Sequence, residues 1–342
     1  MSSKFDYIVF IGRFQISHNG HINTIKNALQ LSKKVIVVLG SSNLPRTVKN
    51  PFTAEERMNM IRMSLTAEES SRVLFTHTND YIYNNQKWVT EVQLRVSALI
   101  MDKNPVVGLI GLKKDESSFY LDLFPQWEYI PQAEKMVSST QIREKFFECS
   151  MRLFPYESDV PYPVIRWLFN VFMRTPHFTK LKEEYEFLKK YKAQWAVAPY
   201  PVIFTTVDAV VIQSGHVLLI RRKACPGEGL LAIPGGFLNP NETIVKAMLR
   251  ELKEETNINV PPAILEGHIK AQGVFDHPQR SQRGRTITHA FLIELPAGPL
   301  AKVKGGDDAS KAMWVPLIDL EKKADSFFED HRDIIENLLG KI

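Results

Sequence analysis

Two cysteines in 342 residues, Cys149 and Cys225, are too few and too far apart for a disulfide framework. The lack of a CxxC pair also removes a thiolate zinc site. No run of eighteen apolar residues occurs, and no basic-then-apolar leader follows Met1, so neither a membrane span nor a secretion signal is expected and the chain reads as cytoplasmic. Charge of one sign is in short supply too. Lys and Arg number 43 against 38 Asp and Glu, a net +5 dispersed along the chain. Such a balance argues against nucleic acid as partner and suits a binder of small anionic ligands. Internal repeats and low-complexity tracts are missing as well. The oligomeric state is left open, a homo-oligomer being compatible with all of this.

What is present is a hydrophobic content of 44% and a length that favours two domains. In the first half, apolar runs alternate with helical spacing. Residues 6–11, Val35 to Gly40, Val73 to Phe75 and Val106 to Gly111 read as strands. Between them, Ile22, Ile25, Ala28 and Leu29, then Met58, Ile61 and Leu65 behind the Thr53–Glu56 capping box, then Trp88, Val92, Val96 and Leu99, read as helices. Alternation of this kind implies a doubly wound parallel sheet, Rossmann-like, with its ligand crevice at the carboxyl ends of the strands. Residues 161–172 and the charged stretch Thr179 to Gln194 add helices, and Pro199-Tyr200-Pro201 marks a stiff boundary. The expected partition is 1–175, a helical linker 176–201, and 202–342. In the last part short strands (Val207 to Ile212, Val217 to Ile220, Gly267 to Phe275, Ile287 to Leu295) surround one strong helix from Glu242 to Thr256, and a closing helix spans Phe327 to Leu339. That pattern is an α+β sandwich.

The stretch Gly12-Arg13-Phe14-Gln15-Ile16-Ser17-His18-Asn19-Gly20-His21 joins the first strand to the first helix. Gly12 permits a tight exit from the strand, Gly20 permits close approach of a ligand, and the helix start offers unpaired N–H groups to an anion. His18 and His21 share that mouth. This stretch resembles the HxGH signature of the nucleotidyltransferase superfamily. Its flank is similar to the GRFQPxHxGH form of archaeal-type nicotinamide mononucleotide (NMN) adenylyltransferases, with Ile16 in place of proline. Ser138-Ser139-Thr140-Gln141-Ile142-Arg143 resembles the same family's SSTxxR motif, and the likeness covers about residues 5 to 175.

The resemblance implies transfer of AMP from ATP to NMN, giving NAD and pyrophosphate. This chemistry needs positioning and charge neutralisation rather than a nucleophilic side chain. It implies His18, His21 and Arg143 as the catalytic, phosphate-handling set. Gly12, Arg13, Phe14, Gly20, Lys114, Asp115, Ser138, Ser139 and Thr140 would line the ATP site. Arg57, Asp80 and Trp88 would face NMN, Trp88 being either a stacking platform or a core tryptophan.

A second pattern runs Gly236, five residues, Glu242, seven residues, then Arg250-Glu251-Leu252-Lys253-Glu254-Glu255-Thr256-Asn257-Ile258. Glu251 and Glu255 are four apart on one helical face, where like charges cost about 0.2–0.5 kcal/mol per pair. A divalent cation reverses that sign, and hard carboxylate oxygens suit Mg²⁺ or Mn²⁺. The pattern resembles the Nudix box, with Asn257 where the box has glycine; Asn is the usual second choice for a left-handed helix end. The likeness implies Glu251, Glu254 and Glu255 as metal ligands, with Glu254 and Glu255 in the catalytic set. The base is one of these or an acid elsewhere, such as Asp276. Gly236, Arg280, Arg285 and Asp308 lie in segments that look like the ADP-ribose branch, which implies hydrolysis of ADP-ribose to AMP and ribose 5-phosphate. The expected ligands are thus ATP, NMN, NAD and ADP-ribose. A non-hydrolytic ADP-ribose or NAD sensor in the second domain is the alternative.

Overall fold

The structure is a computed structural model that describes residues 3–113, 116–132, 138–148, 159–306 and 308–341. The chain divides into two compact units, Met1–Glu183 and Glu184–Ile342. The division falls inside one helix, Pro176–Trp195, rather than at the Pro199–Pro201 boundary expected from sequence.

The first unit runs β1 (Phe5–Gly12), α1 (Asn19–Leu31), β2 (Ser32–Leu39), α2 (Ala54–Arg62), α3 (Ala67–Ser71), β3 (Val73–His77), α4 (Asn85–Ser97), β4 (Val107–Gly111), β5 (Glu128–Pro131), α5 (Ser139–Glu148), α6 (Tyr162–Asn170) and the first part of α7 (Pro176–Trp195), the helix inside which the division falls. The five strands pair in parallel in the order β3-β2-β1-β4-β5. Alternation along β1 explains the two layers. Ile8 and Phe10 pack with Ile22 and Ile25 of α1 and Ile61 of α2, whereas Tyr7, Val9 and Ile11 pack with Val89, Val92 and Val96 of α4. Burying each such aliphatic side chain is worth about 1.5–3 kcal/mol. With β2 on one side of β1 and β4 on the other, the chain reverses its direction of winding at β1, which opens a crevice at the carboxyl end of that strand. Gly12 stands there, and its carbonyl accepts the Gly40 N–H at 2.9 Å.

The second unit follows with β6 (Ile203–Gln213), β7 (His216–Arg222), β8 (Leu231–Ala232), β9 (Gly235–Phe237), α8 (Ile244–Thr256), α9 (Pro262–Gly267), β10 (Ile269–Phe275), β11 (Arg285–Glu294), β12 (Ala309–Pro316) and α10 (His331–Leu339). Its mixed sheet has the order β10-β11-β6-β7-β12, with β8 on β7 and β9 on β6; β11 and β6 are parallel and the other pairs antiparallel. Ala247, Met248 and Leu252 of α8 bury against Val207, Ala209 and Val211 of β6. That leaves Arg250, Glu251 and Glu254 on the other face. Thr243 caps the helix start, and Asn257 ends it in the left-handed conformation at φ 43, the role its replacement of glycine implied.

Candidate functional sites

In the first unit the β1–α1 loop is fixed from three directions. The Gln15 side chain, 1% exposed, forms a reciprocal pair with the Phe52 main chain, donating to its carbonyl and accepting its N–H, both at 3.0 Å. Arg57 donates to the carbonyls of Arg13 (2.7 Å), Gly40 (2.6 Å) and Thr53 (3.2 Å). Arg143 of α5 donates to the Gln15 carbonyl and, at 3.1 Å, to Thr140 Oγ1. Phe14 holds a left-handed φ of 53, and the Gln15–Ile16 peptide is cis. The Phe14 ring packs edge-on to Phe10 and His21, and a Cβ at Gly12 would lie 3.0 Å from it. A side chain at position 12 would therefore have to displace the Phe14 ring by a few tenths of an ångström.

His18 is the N-cap of α1, and its ring stacks on His21 with centroids 3.7 Å apart. Both are buried. His21 Nδ1 accepts the His18 N–H at 3.4 Å, while neither ring nitrogen of His18 has a hydrogen-bond partner. Burial pushes His18 down to about 4; burial, and then the His18 ring beside it, holds His21 well below the usual imidazole range. Both rings are thus neutral near pH 7. They still offer N–H groups to a phosphate oxygen, and an arriving anion favours their charged form. Burial and the nearby Arg13 lower Arg143 to about 10, which leaves its guanidinium charged at neutral pH.

The other expected residues distribute unevenly. Gly20 lies in the first turn of α1, Arg13 is exposed, and Ser138, Ser139 and Thr140 stand at the start of α5 together with Arg143. Asp80 accepts from Ser41 N–H (3.2 Å) and Ser41 Oγ (2.6 Å), so it braces the turn after β2. Trp88 is half-buried, edge-on to Tyr120 and Phe124 at 6.1 and 5.8 Å. Arg57, 1% exposed, is engaged by main-chain carbonyls, and the ring of Phe14, also 1% exposed, packs on Phe10 and His21. Lys114 and Asp115 lie outside the described residues.

The glutamate helix α8 faces the β9 turn in the second unit. Arg250 gathers its neighbours, with bonds to Glu242 (2.6 and 2.9 Å), Glu251 (2.8 Å), Glu254 (2.9 Å) and the Phe237 carbonyl (3.2 Å). The Arg250 bond, above all, holds Glu242 down to about 2, and Glu242 in turn raises Arg250. Glu255, 5% exposed, accepts the Gly235 N–H at 2.9 Å. Burial pushes its carboxyl up to about 8 against that hydrogen bond, and burial raises Glu251 as well. Among the described residues, no three carboxylate, imidazole or thiol groups converge as a ready metal cage. Arg250 bonds both Glu251 and Glu254. The donor set nevertheless fits a hard divalent cation. Glu251 and Glu255 lie four residues apart over two glycines, and a Cβ at Gly236 would fall 2.5 Å from the Glu251 carboxylate.

Asp208 of β6 went unnoticed in the sequence. It is 5% exposed, accepts the Thr288 hydroxyl at 2.5 Å, and burial pushes it up to about 6. A carboxylate inside the apolar run Val207 to Ile212 is the signal that would have found it. Arg280 is buried in a two-bond ion pair with Asp330 (2.8 and 2.9 Å) and braces the loop before α10. Arg285 donates to the Asp276 carbonyl, Asp276 itself is exposed, and exposed Asp308 accepts the Lys223 N–H at 2.9 Å through its main chain.

A parallel nucleotide crevice with paired histidines, followed by a carboxylate helix over a glycine turn, defines a nucleotidyltransferase domain joined to a Nudix domain. Family comparison agrees: residues 9–145 match the cytidylyltransferase-like model and residues 203–338 the NUDIX domain. The nicotinamide/nicotinic acid mononucleotide adenylyltransferase of Acinetobacter baylyi is 43% identical over 184 residues, 53% of this chain and 94% of that relative. The ADP-ribose pyrophosphatase of Methanocaldococcus jannaschii is 35% identical over 153 residues, 44% of this chain and 79% of that relative. A crystal structure of a bifunctional NMN adenylyltransferase/ADP ribose pyrophosphatase from Francisella tularensis, complexed with AMP and a manganese ion, is 37% identical with a TM-score of 0.91, covering 98% of this chain and 99% of that one. The chain belongs to this family of bifunctional NMN adenylyltransferase/ADP-ribose pyrophosphatases.

Proposed function

We propose that the chain is an enzyme with two activities in NAD metabolism: adenylyl transfer from ATP to NMN in the first domain and hydrolysis of ADP-ribose in the second. The observation that carries this reading is the presence, in one chain, of both complete residue sets: His18, His21 and Arg143 on one crevice, and Glu251, Glu254 and Glu255 on one helix. In the first reaction the NMN 5′-phosphate attacks the α-phosphorus of ATP and pyrophosphate leaves. His18 and His21 donate to phosphate oxygens, Arg143 neutralises charge, and the Gln15 and Arg57 contacts hold the loop still while this happens. The start of α5 at Ser139 and Thr140 adds N–H and hydroxyl donors.

In the second reaction Glu251, Glu254 and Glu255 would hold Mg²⁺ or Mn²⁺, which supplies an activated water and polarises the diphosphate. Gly235 and Gly236 keep Glu255 and Glu251 close to the chain, and Arg250 with Glu242 fixes the helix to its preceding loop. No helix among the described residues is long and apolar enough to cross a membrane. A cytoplasmic location, small nucleotides rather than nucleic acid as partners, and domains at 1–175 and 202–342 joined by 176–201 complete the proposal. The test is a Glu255→Gln variant assayed for both reactions: hydrolysis collapses while NAD synthesis persists. Equal loss of both would sink the two-site reading, and a wild-type protein that binds ADP-ribose without turnover would favour a sensor.

A further inference from the structure

Two guanidinium groups of the second unit stand beside its carboxylates without joining them. Arg222, at the end of β7, lies 4.1 Å above the Phe328 ring centre and directs its Nε to the Pro226 carbonyl at 2.9 Å. Arg283 approaches the same ring at 6.0 Å and the Phe237 ring at 5.1 Å, and its Nε is buried without a hydrogen-bond partner. Among the described residues neither forms an ion pair. Arg280 supplies the contrast, since Asp330 engages its Nε and one amino group in a buried ion pair. Arg222 and Arg283 repel one another, and Glu329, Glu255 and Asp308 lie close enough to Arg222 to act on its charge. Two like charges gathered at one aromatic ring attract anions; Glu329 is near enough to act on both, and they keep donors, the Arg283 Nε among them, for a further one. The Gln282 N–H holds Glu329 at 3.0 Å.

We propose that Arg222 and Arg283 are the anion-recognising side of the hydrolase site and grip the diphosphate of its substrate, with Phe328 as the platform that aims both. This rests on the hydrolase reading above. The chemistry suits the residue type, because a guanidinium fork matches phosphate oxygens in two parallel hydrogen bonds and a lysine does not. Neither residue belongs to the glutamate pattern, so the site draws its cations from β7 and from the loop before β11, and its carboxylates from α8.

The test uses the full chain with Mn²⁺ and ADP-ribose. Arg222→Gln and Arg283→Gln should each raise KM about tenfold or more, with kcat falling by no more than about threefold, while NAD synthesis is unchanged. If a Gln variant loses its thermal transition, Arg222→Lys and Arg283→Lys keep stem and charge and should still raise KM several-fold. An unchanged KM in the folded variants overturns the proposal. A wild-type protein that fails to hydrolyse ADP-ribose defeats the underlying reading instead. Binding of inorganic pyrophosphate then decides: it weakens in the variants if the two arginines form the anion site, and equal binding overturns it.

Discussion

Gly235 and Gly236 are neighbours whose replacement by alanine should produce two different failures. A Cβ at Gly235 would lie 2.3 Å from the Val207 carbonyl oxygen, 2.3 Å from Asp208 Oδ1 and 3.0 Å from Asp208 Cα. Much of that is the main chain of β6, which pairs with β9 through Asp208 and Gly235 and sits in the fully buried core, so it cannot retreat. Overpacking of this kind costs about 1–3 kcal/mol. Moving β9 away also breaks the Gly235 N–H bond to Glu255, adding about 1 kcal/mol. A loss of about 2–4 kcal/mol lowers the melting point of a domain of this size by roughly 4–16 °C. At Gly236 the obstacle is only the end of the Glu251 side chain, at 2.5 Å, which can swing aside. Stability should then change by less than about 1.5 kcal/mol, while hydrolysis falls at least about tenfold because Glu251 is displaced. Residual hydrolysis and residual NAD synthesis, each followed against temperature in the same sample, separate the two domains. A Gly235→Ala protein that keeps wild-type heat resistance and hydrolysis would refute the reasoning.

The first domain should be sensitive to acid through His18. Its folded pKa of about 4 lies below the unfolded value near 6.5, so the unfolded chain binds more protons in that window. Stability is therefore full above about pH 6.5 and is lost progressively as pH falls toward 4. A His18→Asn variant should show a flatter dependence of melting temperature on pH, and an identical profile would refute this. Arg143→Lys removes the fork that spans the Gln15 carbonyl and Thr140 Oγ1. NAD synthesis should drop at least about tenfold with ADP-ribose hydrolysis unmoved, as read by product chromatography.

The layered architecture was legible because its signals are long: four apolar runs, three helical stripes and one capping box match the observed elements, overrunning their ends by three residues at most. What escaped was short or half-exposed. β5 is four residues at a sheet edge, β8 and β9 are two and three residues, and β12 lacks a clean alternation. The second capping box, Thr66 to Glu69, repeats the chemistry of the first and could have been read. Arginines were the harder case. Arg57, Arg280 and Arg222 have the same side chain, and one serves main-chain carbonyls, one a buried carboxylate and one an aromatic face. Only tertiary neighbours separate those fates, so composition and spacing had nothing to say about them. The glutamate helix was readable because its spacing, not its surroundings, carries the information.

Arg250 gives that helix a built-in counterion. Because Glu242, Glu251 and Glu254 already share one guanidinium, the acidic face is electrically tolerable on its own, and the fold of the second unit does not wait on metal. A cation must instead compete with the arginine for Glu251 and Glu254. A cation bound there would serve as a visiting reagent rather than a structural rivet, so the rate of hydrolysis should track the free divalent concentration while the folded state stays indifferent to it.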